Sequence, residues 1–320
     1  MTSRIIGTGS YLPKAVVTND DLAKIMDTSD EWIRSRTGIR ERHLAIEETT
    51  TDMCIEAAKR ALENANVAAE EIDLIIVGTV SGDKVTPSTA CEVQAAIGAD
   101  RAVAFDMNAA CAGFIFGLNT AHAYLTAGIY KTALILGAET LSKIMDWNDR
   151  STCVLFGDGA GAAVVRAEDT GMLAFEQGCD GSKAHVLACN GRSNNNPLVS
   201  TDTALDYVHM DGQEVYKFAV STVPASIQRV LDKAKVTTED VTYFVLHQAN
   251  IRILQSVAKR LKVDEDKLPI SLDHCGNVSA ASVPILLDEM NRKGMLKRGD
   301  KIVMSGFGAG LTWGTALVEW

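Results

Sequence analysis

A single cysteine stands where thiol chemistry is possible. Cys111 lies in Asp106-Met107-Asn108-Ala109-Ala110-Cys111-Ala112-Gly113-Phe114-Ile115-Phe116-Gly117-Leu118. The apolar run Ala102–Phe105 before it reads as a buried strand. The stretch after it, through Leu125, reads as a helix apolar on nearly every face, and so buried in a large protein. A cysteine in the first turn of such a helix meets unpaired amides and the positive end of the helix dipole, and both favour the thiolate nucleophile. The competing reading is a free cysteine serving as a small inert hydrophobe. His247 ends the apolar run Phe244-Val245-Leu246 and is placed to meet a thiolate from another strand end. Against that stands a strand-terminal histidine bonded only to backbone. The small-residue turn Asp273–Pro284 presents His274, Asn277 or Ser279. An asparagine amide there offers uncharged donors to an oxygen that becomes negative during reaction, or is simply a turn residue. His43, His122, His185 and His209 have no distinguishing neighbours.

Positioning such groups takes a large scaffold, and the sequence supplies one. The 320 residues are 47% hydrophobic and 22% charged, with a formal net charge of −10. That composition forms a sizeable core and disfavours nucleic acid or an anionic membrane as a partner. Seven cysteines without paired spacing argue against a disulfide framework and for a reducing compartment. There is no Cys-x-x-Cys pair for zinc, no signal-peptide pattern and no membrane-length apolar run, so a cytoplasmic protein is expected.

Helix starts are expected at Thr18-Asn19, Thr28-Ser29 and Thr51-Asp52. The third helix and the strand after it have a twin. Ala61–Gly78 parallels Val230–His247, and Leu134–Gly137 parallels Val303–Gly306, at one offset of 169. The repeat implies a duplicated α/β chain with halves 1–170 and 171–320, helices covering mostly parallel sheets, and a site where the halves meet. Residues 178–212 read as irregular. The spaced glycines near the end precede a β-rich run, not a helix, which excludes a dinucleotide loop.

Three separated motifs carry a resemblance: Asn108-Ala109-Ala110-Cys111-Ala112-Gly113-Phe114, His247-Gln248-Ala249-Asn250-Ile251-Arg252 and Gly276-Asn277-Val278-Ser279-Ala280-Ala281-Ser282. Together they resemble the Cys-His-Asn set of the β-ketoacyl-[acyl-carrier-protein] synthase III family, and the likeness runs from Ile5 to the end. It implies the thiolase fold, an αβαβα layered arrangement, and a homodimer. It also implies an initiating condensation of type II fatty acid synthesis, with Cys111, His247 and Asn277 converging at one tunnel end. Cys111 would take an acyl group from acyl-CoA. His247 and Asn277 would then stabilise the enolate from decarboxylating malonyl-acyl-carrier protein. The amides of Cys111 and Ala309 would form the oxyanion recess. The family usually has glycine at position 309, a difference harmless to a backbone donor if φ is negative. No cofactor is implied, CoA thioester being a substrate.

The same resemblance places Thr28, Trp32, Arg36, Arg150, Gly212 and Asn250 on CoA, while Lys217, Arg252, Lys259 and Arg260, with Gln248, would form a local basic patch suited to docking an acidic carrier protein. Thr86 falls where several members have a bulky aromatic closing the primer pocket across the dimer, which would leave room for primers longer than acetyl. Chain-elongating relatives need a second histidine where this chain has Asn277, and His274 is out of register for it. A polyketide-type condensing enzyme using malonyl-CoA, and a non-catalytic acyl-CoA-binding protein, are the alternatives.

Overall fold

A computed structural model describes residues 1–199 and 206–320. The first sheet contains β1 (Thr2–Tyr11), β2 (Leu74–Gly78), β3 (Val103–Met107), β4 (Thr132–Thr140) and β5 (Asp158–Glu168) in the order β1-β5-β4-β2-β3. The second contains β6 (Met172–Cys179), β7 (Tyr243–Leu246), β8 (Lys301–Gly308) and β9 (Thr312–Glu319), in the order β7-β8-β9-β6. Read from β6, the second sheet repeats the first without a counterpart of β3 among the described residues. The twin segments foreseen from sequence are β2 with β7 and β4 with β8.

The helices are α1 (Asp30–Thr37), α2 (Thr50–Ala65), α3 (Thr89–Ile97), α4 (Gly113–Thr126), α5 (Gly212–Ala234), α6 (Ile251–Leu261) and α7 (Ser282–Arg292), besides two four-residue turns of helix. Ser29 caps α1, accepting a bond from the Trp32 amide. Thr49 and Asp52 form a capping box on α2, which therefore starts slightly before the expected Thr51.

Helices α4 and α7 lie between the sheets. Phe114, Ile115 and Leu118 of α4 and Leu286, Leu287 and Met290 of α7 share one core with Ile76 and Ile135 of the first sheet and Val245 and Met304 of the second. Each such side chain contributes about 1.5–3 kcal/mol on burial, which accounts for the all-round apolar character of α4. Helices α2 and α3 cover the outer face of the first sheet, α5 and α6 that of the second, completing the αβαβα layers. Strand-end glycines permit the close approach: a Cβ on Gly137 would lie 2.1 Å from the Ala280 carbonyl oxygen.

The sheets are mixed, not mostly parallel as expected. Pairs β2/β3, β2/β4 and β7/β8 are parallel, whereas β1/β5, β4/β5, β8/β9 and β9/β6 are antiparallel. The connection between Gly308 and Thr312 is too short for a crossover and forces β8 and β9 into a hairpin.

Candidate active site

Cys111 sits in a single 3-10 turn, Ala110–Ala112, between β3 and α4. It is therefore just ahead of the α-helix, not inside its first turn. Burial pushes its thiol up to about 12, opposed by a hydrogen bond with the Ser279 hydroxyl. This corrects the expectation of a thiolate at rest: a helix end contributes typically 0.3–1 kcal/mol, and desolvation between the sheets outweighs it.

The turn after Gly276 gathers the three sequence-derived groups. Asn277 Oδ1 accepts the Ser279 amide at 2.9 Å, and Ser279 Oγ bonds the Cys111 sulfur. Ser282 Oγ lies 2.9 Å from the Ser279 carbonyl oxygen and 2.7 Å from His247 Nδ1. Ser279 is thus one or two bonds from all three. Asn277 is also pinned to the N-terminal half, its amide donating to the Leu155 carbonyl at 2.9 Å and its carbonyl accepting from Gly157 at 3.0 Å. Neither Asn277 Nδ2 nor His247 Nε2 has a hydrogen-bond partner among the described residues, so both remain open to a substrate oxygen. His247 is buried beside the Phe307 ring, 5.1 Å between centroids, and burial pushes its pKa down to about 3. The imidazole is therefore neutral across the physiological range.

Gly308 brings β8 against the cysteine: a Cβ there would lie 2.6 Å from the Cys111 nitrogen. Ala309 follows it and, like Cys111, Asn108 and Ser279, lines a cavity of about 1530 Å³. Ala309 is not among the residues with positive φ, so its methyl is accommodated. His247 and Asn277 do not line this cavity. The single tunnel end expected for all three is thus only partly met: the sulfur opens onto the cavity, and hydrogen bonds join it to the other two. Phe156, bridged to Asn277, forms part of the wall.

Trp32, Arg36 and Arg150 come together at the surface. The two guanidinium carbons lie 4.7 and 5.2 Å from the indole centroid, and Arg150 is held by the Asp27 carbonyl and carboxylate. The Thr28 hydroxyl is buried without a partner among the described residues. Asn250 caps α6 and donates to the Arg36 carbonyl at 3.1 Å, joining the second half to this cluster. Gly212 opens α5 with free space around it and has no hydrogen bond to the cluster.

Lys217, Arg252, Lys259 and Arg260 are exposed on α5 and α6, which a Tyr216–Ser256 bond of 2.8 Å holds together. Lys217 is paired with Glu214 at 2.8 Å. Gln248 corrects the docking assignment. It is 0% exposed, and its amide bonds Leu246, Ser271 and Leu272 backbone groups, so it serves the fold and meets no partner surface. Thr86 is exposed and does not line its own chain's cavity, although neighbouring Val85 does.

His274, Cys275 and Glu289 place ligand atoms within 4.8 Å of one another. Both imidazole nitrogens already bond carboxylates, Asp273 and Glu289, at 2.9 Å each. The cluster is therefore an ion-paired clasp and not an open set of metal ligands. Sequence reasoning missed Glu139 and Ser282. Glu139 was detectable as an acid ending an otherwise apolar strand, and Ser282 by its adjacency to the Asn277 turn.

Two repeated halves packed on paired central helices, with a cysteine at the start of one, make up the thiolase fold of condensing enzymes. Family models described as 3-oxoacyl-[acyl-carrier-protein] synthase III and its C-terminal region match residues 105–181 and 231–320. The chain is 52% identical to a β-ketoacyl-[acyl-carrier-protein] synthase III of Clostridium acetobutylicum, covering 99% of this chain and 98% of that one. A crystal structure of 3-oxoacyl-[acyl-carrier-protein] synthase III from Aquifex aeolicus superposes with a TM-score of 0.93 at 46% identity, covering 99% and 100%. The priming β-ketosynthase of the R1128 polyketide pathway also superposes with a TM-score of 0.93, at 37% identity, covering 99% and 96%. The chain belongs to the 3-oxoacyl-[acyl-carrier-protein] synthase III family.

Proposed function

We propose that this protein is the initiating condensing enzyme of fatty acid synthesis, loading an acyl-CoA primer onto Cys111 and condensing it with malonyl-acyl-carrier protein. The observation that carries the reading is the 277–282 turn, whose Ser279 and Ser282 tie Cys111, Asn277 and His247 into one bonded group.

In the first stage the Cys111 sulfur attacks the thioester, and CoA leaves. The tetrahedral oxygen would be held by the amides of Cys111 and Ala309, the latter following Gly308, which packs against the Cys111 backbone. In the second stage malonyl loses CO2, and the enolate oxygen accepts hydrogen bonds from Asn277 Nδ2 and His247 Nε2. For that role neutral His247 must carry its proton on Nε2, which requires the Ser282 hydroxyl to turn from the Ser279 carbonyl and donate to Nδ1 instead. The carbanion then attacks the acyl group, giving 3-oxoacyl-carrier protein. No cofactor is needed, because decarboxylation supplies the drive.

Trp32, Arg36 and Arg150 offer a flat face and two guanidinium groups for the adenine and phosphates of CoA, with the unpartnered Thr28 hydroxyl beside them. Gly212 and Asn250 would flank the pantetheine arm. Lys217, Arg252, Lys259 and Arg260 would receive an acidic carrier protein. We assign residues 1–170 and 171–320 as the two halves. We place the homodimer contact at β3, an edge strand paired, among the described residues, only with β2 and carrying Val103 at 48% exposure. The expected site of action is the cytoplasm.

The test is incubation with a panel of acyl-CoAs and weighing of the protein. A primer-sized adduct on Cys111 in the wild type, absent in Cys111→Ala, supports the assignment, and no adduct from any acyl-CoA overturns it. The likeness to a polyketide priming enzyme makes malonyl-CoA the necessary comparison extender.

A further inference from the structure

We propose that Glu139, acting through the Ser279 hydroxyl, is the acceptor of the Cys111 proton when the thiol attacks. The proposal rests on Cys111 being the nucleophile. Glu139 is wholly buried near the end of β4, alongside the 279–281 turn. Its Oε2 accepts from the Val80 amide at 3.1 Å, the Ser81 hydroxyl at 2.5 Å and the Thr79 hydroxyl at 3.3 Å. Those three bonds suffice to knot the 79–81 segment to β4. Among the described residues Oε1 instead accepts only from Ser279 Oγ, at 3.0 Å, and the same hydroxyl reaches the Cys111 sulfur. Sulfur, hydroxyl and carboxylate form a continuous line.

The fold does not need that hydroxyl. Ser279 repeats Ala110 in the duplicated chain, and both have φ of 46°. The first copy of the turn forms with alanine, so Ser279 Oγ is free for another task. No cation pairs with Glu139 among the described residues. Four neutral donors oppose its desolvation, and burial leaves its pKa at about 7. The titratable groups facing it are thiols pushed up by burial, Cys111 on the turn and Cys54 on α2. The nearby acids are engaged elsewhere: Asp83 with Lys143, and Asp106 with the Thr89 and Ala90 amides. His247 is the weaker acceptor, since burial holds it far below neutrality and Nδ1 is engaged.

The step balances. As the sulfur–carbon bond forms, the S–H proton passes to Ser279 Oγ, and the serine's own proton passes to Glu139 Oε1. The carbonyl π pair moves onto the thioester oxygen. When the tetrahedral adduct collapses, the bond to the CoA sulfur breaks. The proton then returns from Glu139 through Ser279 to the departing thiolate, regenerating the carboxylate.

The test is the pH dependence of Cys111 alkylation by iodoacetamide between pH 5 and 9, followed by mass, in wild type, Glu139→Gln and Ser279→Ala. Wild type is expected to show a rate step near pH 7. In Glu139→Gln the amide nitrogen can sit at Oε1 and donate to Ser279, reversing the polarity of the line. The step should vanish, with the rate at pH 7.5 falling roughly tenfold or more. Ser279→Ala should lose it equally while leaving Glu139 its other three donors, and alanine at φ of 46° is what Ala110 already adopts. A step that survives in Ser279→Ala overturns the relay, as does one that survives in folded Glu139→Gln or a wild type with none. Should Glu139→Gln fail to fold, Ser279→Ala decides alone. Alkylation needs no thioester, so failure to load acyl-CoA would sink the proposed function without imitating either result.

Discussion

Ala110 and Ser279 occupy one position in two copies of the same turn, each with φ of 46° and each receiving a side-chain bond from an asparagine two residues earlier. Asn108 Oδ1 reaches the Ala110 amide at 3.3 Å, and Asn277 Oδ1 reaches the Ser279 amide at 2.9 Å. The turn itself uses only the oxygen. The nitrogen of Asn277 is what the proposed chemistry takes, and the two roles can be separated.

Asn277→Asp keeps the turn-forming oxygen and loses the NH2 donor. Decarboxylation of malonyl-carrier protein by acylated enzyme should fall roughly 10²–10³-fold, with acyl loading within about threefold of wild type. Single-turnover loading and CO2 release, measured separately, check this. Equal loss of both would remove Asn277 from the second stage.

Burial keeps His247 neutral down to about pH 3. Condensation by enzyme already acylated should therefore show no histidine step between pH 5 and 8. A rate that rises through pH 6.5 in stopped-flow CO2 release would contradict it.

Two guanidinium groups lie 4.7 and 5.2 Å from the centre of the Trp32 ring. Trp32→Ala or Arg36→Ala should raise KM for acyl-CoA about tenfold, equivalent to about 1.4 kcal/mol, while kcat changes little. A fall in kcat with KM unchanged would place these residues outside CoA binding.

Asp273 first, then Cys275 and Glu289, hold the His274 imidazole well above its usual value. Because the folded pKa exceeds the unfolded one, the clasp's contribution is complete below about pH 6.5 and drains as pH rises. With His274 partly exposed, it is worth about 1 kcal/mol. Urea unfolding of His274→Gln against wild type should show a larger deficit at pH 6 than at pH 9.

Thr86→Phe should shift primer use toward acetyl-CoA at the expense of longer acyl-CoAs, if the residue faces a neighbouring subunit's pocket. Adduct masses from a mixed acyl-CoA panel read this directly. An unchanged chain-length profile removes Thr86 from primer selection.

Much of the architecture was legible because a duplication leaves a fixed offset. Leu62 with Leu231, and Gly137 with Gly306, marked matching elements before any coordinates, and α4 announced its burial by lacking a polar face. Strand direction was not legible, since apolar runs look alike in parallel and antiparallel pairs and the Gly308–Thr312 hairpin decides the matter. Cys111, His247 and Asn277 were readable as residue types at element ends. Their electrostatics were not: the raised thiol and lowered imidazole follow from packing between two sheets. Gln248 looked available beside exposed Arg252, but only three positions separate the end of β7 from the cap of α6, and the first two are buried.

The hairpin joining β8 and β9 also settles when the recess beside Cys111 comes into being. Thr312 Oγ1 ties the Ala309 carbonyl at 3.0 Å and the Ala109 carbonyl at 3.1 Å, and Asp180 and Leu311 exchange backbone bonds at 2.7 and 2.9 Å. Such a loop has no slack with which to swing its amide aside. On the proposed mechanism, the cradle for the first negative oxygen is therefore set by the fold itself and does not wait for the thioester to shape it.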